Sequence, residues 1–221
     1  MKELLRKRIK ELTGIIGLSG QEWDVARYVK KELIDHVDDV KVLNNGIVIA
    51  HIKGLNSGPR VMVTAHMDEV GYMVKAISPQ GFLFFDRLGG ATDGCMPGRR
   101  VLVKGSKGVI SGIIGVRAGH LLTAEERAKP QTVSQSYIDI CVSSKDEALA
   151  LGIGVGAQVV PDSPCTEMNN PDYLVTRAAD CRALCAVIIE VMKKLNKNDI
   201  HGDVFGVFNV LEETSTTAIG S

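Results

Sequence analysis

The chain contains 221 residues, of which 45% are hydrophobic and 24% charged, a composition typical of a folded globular protein rather than a disordered one. Its 26 lysine and arginine residues balance its 26 aspartate and glutamate residues, so the formal net charge is zero. Because the chain has neither a basic block nor an apolar run long enough to span a membrane, we expect no nucleic-acid partner and no membrane partner.

The N-terminal segment shows two helical patterns. Apolar residues recur at helical spacing over residues 4–16 and predict a first helix, whose charged start lacks the apolar core of a signal peptide. Ser19 and Glu22 match a capping box and predict a second helix from there to about residue 34. Five scattered cysteines, without the two-residue spacing of a zinc knuckle, agree with reduced thiols. We therefore expect a cytoplasmic protein.

The pattern then changes to strands. Residues 40–43, 46–52 and 60–64 are predicted strands, and Asn44–Gly46 provides a tight-turn signal between the first two. The third strand carries Val61, Met62 and Val63 in succession, so both of its faces are apolar. This pattern predicts an interior strand of a sheet.

A glycine-punctuated β-region follows. The candidate strands lie at residues 72–77, 82–86, 100–104, 109–116 and 137–142. Their spacing, without long helices between them, predicts a small barrel or sandwich. Residues 117–136 show little apolar periodicity and are predicted to form a long loop, whereas residues 145–151 are predicted to form one short helix.

The helix and strand alternation returns in the last part of the chain. A strongly amphipathic helix begins near Asp180, and residues 203–210 predict a buried strand. The predicted fold class is therefore α/β with a mixed sheet, interrupted by an inserted all-β domain. Residues 1–71 and 162–221 form the two parts of the α/β domain, and residues 72–161 form the insertion.

Three groups of acidic or histidine residues lie where strands end or a helix begins. His66 and Asp68 follow the third strand, Asp180 begins the amphipathic helix, and Glu212 and Glu213 follow the last strand. Ligands of open α/β sheets gather at the carboxyl ends of strands. His66 and Asp68 are two residues apart and project to the same side of an extended chain. An imidazole in that arrangement can bind a metal while the carboxylate orients it.

Each group taken alone has an ordinary structural explanation. A lone His-x-Asp pair is more often a polar surface turn, an acid such as Asp180 is often a helix cap, and adjacent acids such as Glu212 and Glu213 are often a solvated strand end. Together the groups supply nitrogen and oxygen ligands that suit zinc, cobalt or manganese, with a further carboxylate able to accept a proton. The combination indicates a metal-dependent hydrolytic site, and the spacing leaves the number of metals open.

Specific runs around these residues resemble a known family. Residues 65–71 (Ala-His-Met-Asp-Glu-Val-Gly), residues 179–182 and the Glu212–Glu213 pair resemble the tetrahedral aminopeptidases. That family of co-catalytic metallopeptidases includes glutamyl and deblocking aminopeptidases, and its members are often labelled endoglucanase-like. The likeness covers essentially the whole chain and extends through residues 19–22, 137–140 and 152–156.

The resemblance implies a zinc-exopeptidase-like catalytic domain with two divalent metal ions, zinc or cobalt, with manganese as a further candidate. By matching position, it implies that His66 binds one metal, Asp68 supports His66, Asp180 bridges both metals, Glu212 is the general base and Glu213 binds the other metal. It also implies an aminopeptidase that hydrolyses N-terminal residues from peptide substrates through a two-metal-activated water. The inserted β-domain would be an assembly domain that forms a homo-oligomer.

The sequence departs from the family pattern in three places. Cys181 stands where the family usually has a second aspartate, and the residues after Glu213 lack the family's glycine-rich turn. The family supplies a further Asp and a further His from beyond the position of Ser221, together with further strands and helices, so we expect a catalytic domain truncated at its C-terminus. The last strand of the chain, at residues 204–210, would then be left as an exposed sheet edge. The alternative is a catalytically incomplete fragment or paralogue that acts as a non-catalytic assembly or regulatory subunit. A glycosidase would need carboxylates on opposite sides of a sugar, which adjacent glutamates beside a histidine suit poorly.

Overall fold

The structure of the protein is a computed structural model that describes residues 1–90, 96–116, 118–129 and 131–214. The chain forms two compact units. The flanking unit consists of Met1–Glu69 together with Ser163–Ser221, and the middle unit consists of Val70–Asp162. The catalytic and assembly roles that the sequence assigns to the predicted domains stay predictions, as does the expected C-terminal truncation.

Within the described residues, helices belong mostly to the flanking unit and strands to both. The helices are α1 (Lys2–Gly14), α2 (Trp23–Leu33), α3 (Ala124–Arg127), α4 (Lys145–Ala150) and α5 (Ala179–Lys194), with 3₁₀ turns at Gly119–Leu121, Val133–Gln135 and Lys197–Asp199. The strands are β1 (Asp39–Val42), β2 (Val48–Ile52), β3 (Val61–His66), β4 (Gly71–Ile77), β5 (Leu83–Leu88), β6 (Arg100–Gly105), β7 (Gly108–Ile114), β8 (Ile138–Asp139), β9 (Gln158–Pro161), β10 (Thr166–Glu167), β11 (Leu174–Val175) and β12 (Val204–Asn209). Among these helices, none is long and apolar enough to cross a membrane.

The flanking unit contains a four-stranded mixed sheet in the order β1-β2-β12-β3. The β1–β2 hairpin turns at Gly46, whose φ of +96° is readily adopted only by glycine, so the predicted tight turn is confirmed. β12 runs antiparallel to β2 and parallel to β3. In that parallel pairing, Asn209 lies opposite His66, so the carboxyl ends of the two strands are neighbours.

One hydrophobic core joins the helices of the flanking unit to its sheet. Leu12 of α1, Val29 of α2 and Ile189 of α5 are fully buried in this core with Val48 and Phe208 of the sheet. Complete burial of an aliphatic or aromatic side chain of this size contributes about 1.5–3 kcal/mol. The predicted combination of amphipathic helices and a mixed sheet is therefore confirmed for this unit.

Two expectations about strand position are wrong. β3 is an edge strand among the described strands of its sheet rather than an interior one, and the Met62 side chain is exposed, with a relative accessibility of 63%. β12 lies between β2 and β3, so the last strand has a neighbour on both sides. Apolar residues on both faces did not identify the interior strand, because strand order is set by pairing between segments far apart in the chain.

The capping box expected at the start of α2 is also wrong. The helix begins at Trp23, and Glu22 occupies the cap position without a side-chain capping bond. The Ser19 hydroxyl donates to Asp68, and the Glu22 carboxylate accepts from the N–H groups of Gly20 and Leu211 at 2.8 and 3.0 Å. Ser19 is therefore directed to a tertiary contact, and Glu22 binds one local N–H and one N–H that is 189 residues away instead of capping the helix.

The middle unit is a closed six-stranded barrel in the order β4-β5-β8-β7-β6-β9. Its interior holds fully buried residues from several strands, including Leu83, Val103 and Val159, so the barrel alternative of the sequence prediction is confirmed. The predicted loop at 117–136 contains α3 and two 3₁₀ turns, although Arg117 and Pro130 lie outside the described residues. The predicted short helix is α4, and Ser144 caps it by accepting from the N–H of Glu147.

A buried ion pair joins α1 to α5 in the flanking unit. Arg8 Nε donates to Glu190 Oε1 at 2.5 Å, and the two side chains are only 7% and 5% exposed. Arg8 Nη1 also contacts Glu32 at 2.8 Å, and Lys193 contacts the same glutamate at 3.0 Å. Removal of Arg8 would therefore leave Glu190 without its cation inside the protein, whereas Glu32 would keep one.

We expect Arg8→Leu to lower the free energy of unfolding by about 3–5 kcal/mol, because a buried charge without its partner is strongly destabilising. The double variant Arg8→Leu/Glu190→Leu should lose clearly less, since neither charge then remains. Urea denaturation with a common m-value measures both changes. Lys7→Leu, at an exposed position of the same helix, is the control. Equal losses in the single and double variants would contradict this explanation.

Candidate metal centre

The predicted site residues meet where β3 and β12 end side by side. His66 is the last residue of β3, and Glu212 and Glu213 follow the end of β12. Asp180 lies in the first turn of α5, and its Oδ1 is 3.3 Å from His66 Nε2. The parallel pairing of the two strands therefore brings together residues that lie more than a hundred positions apart in the sequence.

His66 belongs to two overlapping groups of metal-ligand atoms. Its ring nitrogen lies 3.7 Å from Glu212 Oε2, and the ligand atoms of His66, Glu212 and Glu213 all lie within 4.8 Å of one another. The same holds for His66, Asp180 and Cys181. The His66 side chain is 10% exposed, whereas those of Asp180 and Glu212 are 90% and 47% exposed. The centre thus has a buried imidazole on one side and accessible carboxylates on the other.

Asp68 lies behind His66 and is completely buried. Its Oδ1 is 3.3 Å from His66 Nδ1, and its main-chain oxygen is 3.2 Å from the same nitrogen. The carboxylate accepts from the N–H groups of Glu212 and Glu213 at 3.2 and 3.0 Å and from the Ser19 hydroxyl. Burial alone would raise the pKa of Asp68, but these hydrogen bonds hold it below its ordinary value. An imidazole that donates from Nδ1 to such a carboxylate presents the lone pair of Nε2 to the opposite side.

The negative charge around His66 favours a cation. Burial alone would lower the pKa of His66, but hydrogen bonds with Asp68 and Asp180 and the charges of Asp68 and Glu212 raise it to about 9. Burial raises the pKa of Glu213, and the neighbouring carboxylates act in the same direction, whereas the charge of His66 opposes them. A set of imidazole and carboxylate donors with this excess of negative charge fits a divalent metal such as zinc or cobalt.

Arg182, two residues after Asp180, holds the backbone beneath the centre. Its guanidinium is fully buried and donates to four main-chain oxygens. The acceptors are the carbonyls of Leu12 (3.0 Å), Gly17 (3.0 Å), Met67 (2.9 Å) and Ile15. Arg182 therefore connects the end of α1 to the segment between His66 and Asp68. The sequence placed Arg182 beside Asp180 in one motif but did not indicate this function.

Glu69 is part of the same buried network and contacts arginines rather than the candidate metal-ligand atoms. Its carboxylate accepts from both Arg177 and the Gly17 N–H and lies 3.2 Å from Arg182. Glu69 is thus already neutralised by two arginines. The sequence run after β3 contains two adjacent acids, and the tertiary structure separates their functions: Asp68 contacts His66, and Glu69 pairs with arginines.

Known proteins resemble this chain along most of its length. Residues 46–220 match the family described as M42 glutamyl aminopeptidase. Lysyl aminopeptidase of Pyrococcus furiosus is 30% identical over 210 residues, which cover 95% of this chain and 59% of the relative. Among solved structures, a TET aminopeptidase from the marine sediment archaeon Thaumarchaeota archaeon SCGC AB-539-E09 superposes with a TM-score of 0.90 at 32% identity. That match covers 98% of this chain and 60% of the other.

A second solved structure adds information on assembly. The TET1 peptidase of Pyrococcus horikoshii, described as assembling into a tetrahedron or a large octahedral shell, superposes with a TM-score of 0.86 at 31% identity. The match covers 97% of this chain and 63% of that protein. The chain therefore spans less than two thirds of the length of these relatives.

We expect Arg182→Lys to lower the free energy of unfolding by about 3 kcal/mol or more. A lysine ammonium cannot reproduce the planar fork that reaches four carbonyls, and the unsatisfied buried oxygens are costly. Arg27→Lys, at a largely exposed position of α2, should change stability by less than about 0.5 kcal/mol. Urea unfolding compares the two variants, and a wild-type midpoint for Arg182→Lys would contradict the role assigned to Arg182.

Proposed function

The chain belongs to the M42 glutamyl aminopeptidase family, and from that membership and the geometry of its candidate centre we propose that it is a metal-dependent aminopeptidase. The observation that carries the proposal is the position of His66 Nε2, 3.3 Å from Asp180 and 3.7 Å from Glu212, with Asp68 behind the ring. The relatives compared above are named as aminopeptidases or peptidases, which does not favour a non-catalytic subunit.

We assign the metal ligands to His66, Asp180 and Glu213, and Asp180 would be the ligand shared if two ions bind. Zinc or cobalt would suit this nitrogen and oxygen set, with manganese as a further candidate. When bound, the ions supply Lewis-acid polarisation of the scissile carbonyl and lower the pKa of a water molecule. The assignment is supported by the two groups of ligand atoms that share His66, one with Asp180 and Cys181 and the other with Glu212 and Glu213.

The protein residues then have distinct functions. Glu212 is the general base: its carboxylate accepts the proton of the attacking water and returns it to the leaving amine of the peptide. Its side chain is half exposed, so substrate and water can reach it, while its N–H is held by Asp68. His66 Nδ1 lies 3.2 Å from the main-chain oxygen of Asp68 and 3.3 Å from its carboxylate, so a proton held on Nδ1 would leave the Nε2 lone pair free to bind a metal.

The proposed substrate is a peptide with a free N-terminus, and the proposed partner is a second copy of the chain. The assembly of the similar Pyrococcus horikoshii peptidase supports a homo-oligomer, and we assign the contact surface to the barrel of the middle unit. The metal-centre residues all belong to the flanking unit, whereas the barrel lies in the middle unit.

Zinc or cobalt should raise the unfolding midpoint of the purified protein. A metal that binds only the folded state stabilises it by about 2.7 kcal/mol when its free concentration is 100 times its dissociation constant. His66→Ala should abolish this increase, whereas His36→Ala, at an exposed position of the same unit, should retain it. Thermal unfolding with and without chelator measures the effect, and an undiminished increase in His66→Ala would place the metal elsewhere.

Glu212→Gln should lower kcat for aminoacyl p-nitroanilides by about 10²–10⁴-fold, because the amide cannot accept the water proton. Metal content should remain near that of the wild type, since the assigned ligands are unchanged. Glu3→Gln, at an exposed position of α1, serves as the matched control. Steady-state kinetics and metal analysis on the same samples test both statements, and a metal-loaded protein that lacks aminopeptidase activity would overturn the proposed function. A cellulose-hydrolysing activity that survives chelator would indicate a glycosidase instead.

A further inference from the structure

Three successive backbone N–H groups after β12 are held by buried carboxylates. The N–H of Leu211 donates to Glu22 Oε1 at 3.0 Å, and those of Glu212 and Glu213 donate to the two oxygens of Asp68 at 3.2 and 3.0 Å. These contacts join residues that are 189, 144 and 145 positions apart. Two of the three residues are Glu212, the proposed base, and Glu213, a proposed metal ligand. The contacts therefore fix the backbone positions from which these two side chains extend.

The loop at residues 19–22 completes this arrangement. The Ser19 hydroxyl donates to Asp68 Oδ2, and Thr214 Oγ1 donates to Ser19 Oγ at 3.1 Å. Gly20 N–H donates at 2.8 Å to the same Glu22 oxygen that accepts from Leu211. Ser19 and Glu22 are almost completely buried. The loop therefore contacts the turn at both ends, through Glu22 before Glu212 and through Ser19 after Glu213.

Leu211, at the start of the turn, has an uncommon backbone conformation. Its φ is +62°, in the left-handed region that residues other than glycine rarely adopt. Such a conformation persists only where the surrounding structure fixes it. Here the fixing groups are Glu22, which binds the Leu211 N–H, and Asp68, which binds the next two. Loss of either acceptor would let the turn relax toward an ordinary conformation.

The hydrogen bonds of Glu22 require an oxygen acceptor rather than a charge. The partners of its carboxylate are all main-chain N–H donors: those of Gly20 and Leu211, which share Oε1, and its own. Burial raises the pKa of Glu22 above its ordinary value, and the nearby charge of Asp68 acts in the same direction. A glutamine side chain also offers one carbonyl oxygen with two lone pairs and can accept the bonds from Gly20 and Leu211. This separates Glu22 from a general base or a metal ligand, for which the charge is essential.

We propose that Ser19 and Glu22 are positioning residues of the centre, which with Asp68 form a clamp on the backbone of residues 211–213. The clamp sets the distance of Glu212 and Glu213 from His66 before any metal or substrate binds. The significance of the clamp for catalysis rests on the proposed function, whereas its effect on the turn does not. Small misplacements of catalytic groups reduce rates strongly, so loss of the clamp should be visible in activity as well as in backbone dynamics.

Amide hydrogen exchange tests the clamp without metal. Glu22→Ala should accelerate exchange of the Leu211 amide at least tenfold relative to the wild type, and Ser19→Ala should do the same at Glu212 and Glu213. Glu22→Gln should stay close to wild type. Unchanged exchange in β2 shows that the variants fold, and Glu3→Ala and Ser57→Ala are exposed controls of the same unit. Wild-type exchange at residues 211–213 in both Glu22→Ala and Ser19→Ala would overturn the proposal.

Cobalt binding and steady-state kinetics test the consequence for the centre. Glu22→Ala should weaken cobalt binding at least tenfold, as measured from the visible absorption spectrum of the bound cobalt. The same variant should lower kcat by a larger factor than it raises KM. Glu22→Gln should restore both values to within about threefold of wild type. If Glu22→Gln is as defective as Glu22→Ala although its amide exchange is normal, the charge of Glu22 is required and the clamp explanation is wrong.

These two experiments also separate the clamp from the proposed function. In one outcome, the amides of residues 211–213 are protected in the wild type and exchange faster in Glu22→Ala, but the wild type neither binds cobalt nor cleaves peptides. This outcome would overturn the aminopeptidase proposal and retain the clamp. A protein that binds cobalt and cleaves peptides equally well in wild type, Glu22→Ala and Ser19→Ala would retain the aminopeptidase and overturn the positioning role.

Discussion

The candidate centre depends on the register in which β3 and β12 run parallel. Asn209 lies opposite His66 in that register, so the turn carrying Glu212 and Glu213 begins beside the end of β3. A shift of one residue would move every side chain of a strand to the other face of the sheet and would separate the imidazole from its carboxylates. The hydrophobic core around Phe208 makes such a shift costly, because it would expose buried side chains.

Hydrogen bonds of buried polar groups hold the backbone of the site in the positions that this register provides. Asp68 and Arg182 are both fully buried, and each is satisfied by several partners: Asp68 by two amides, a hydroxyl and an imidazole, and Arg182 by four carbonyls. In a medium of low dielectric constant such bonds are strong when complete and costly when broken. The network therefore holds the backbone of the site in one arrangement, while Asp180 and Glu212 remain open to solvent.

Local patterns in the sequence predicted a large part of this architecture. Helical periodicity located α1 and α5, and the Asn44–Gly46 turn located the β1–β2 hairpin, because these signals act between residues close in the chain. The same local logic was misleading at Ser19 and Glu22. Their spacing matches a capping box, but Ser19 bonds to Asp68, 49 residues away, and Glu22 accepts from Leu211, 189 residues away. It was also misleading for β3, whose apolar faces suggested an interior strand.

The sequence by itself determined the residue types of the site and the strand and helix ends on which they lie. Only the tertiary structure decided which of them meet: His66 with Asp180 and Glu212, Asp68 with the amides after β12, and Glu69 with arginines rather than with a ligand group. The physical reason is that periodicity and turn chemistry are short-range properties. The pairing of β3 with β12 and the burial of Asp68 and Arg182 arise instead from packing between segments more than a hundred residues apart.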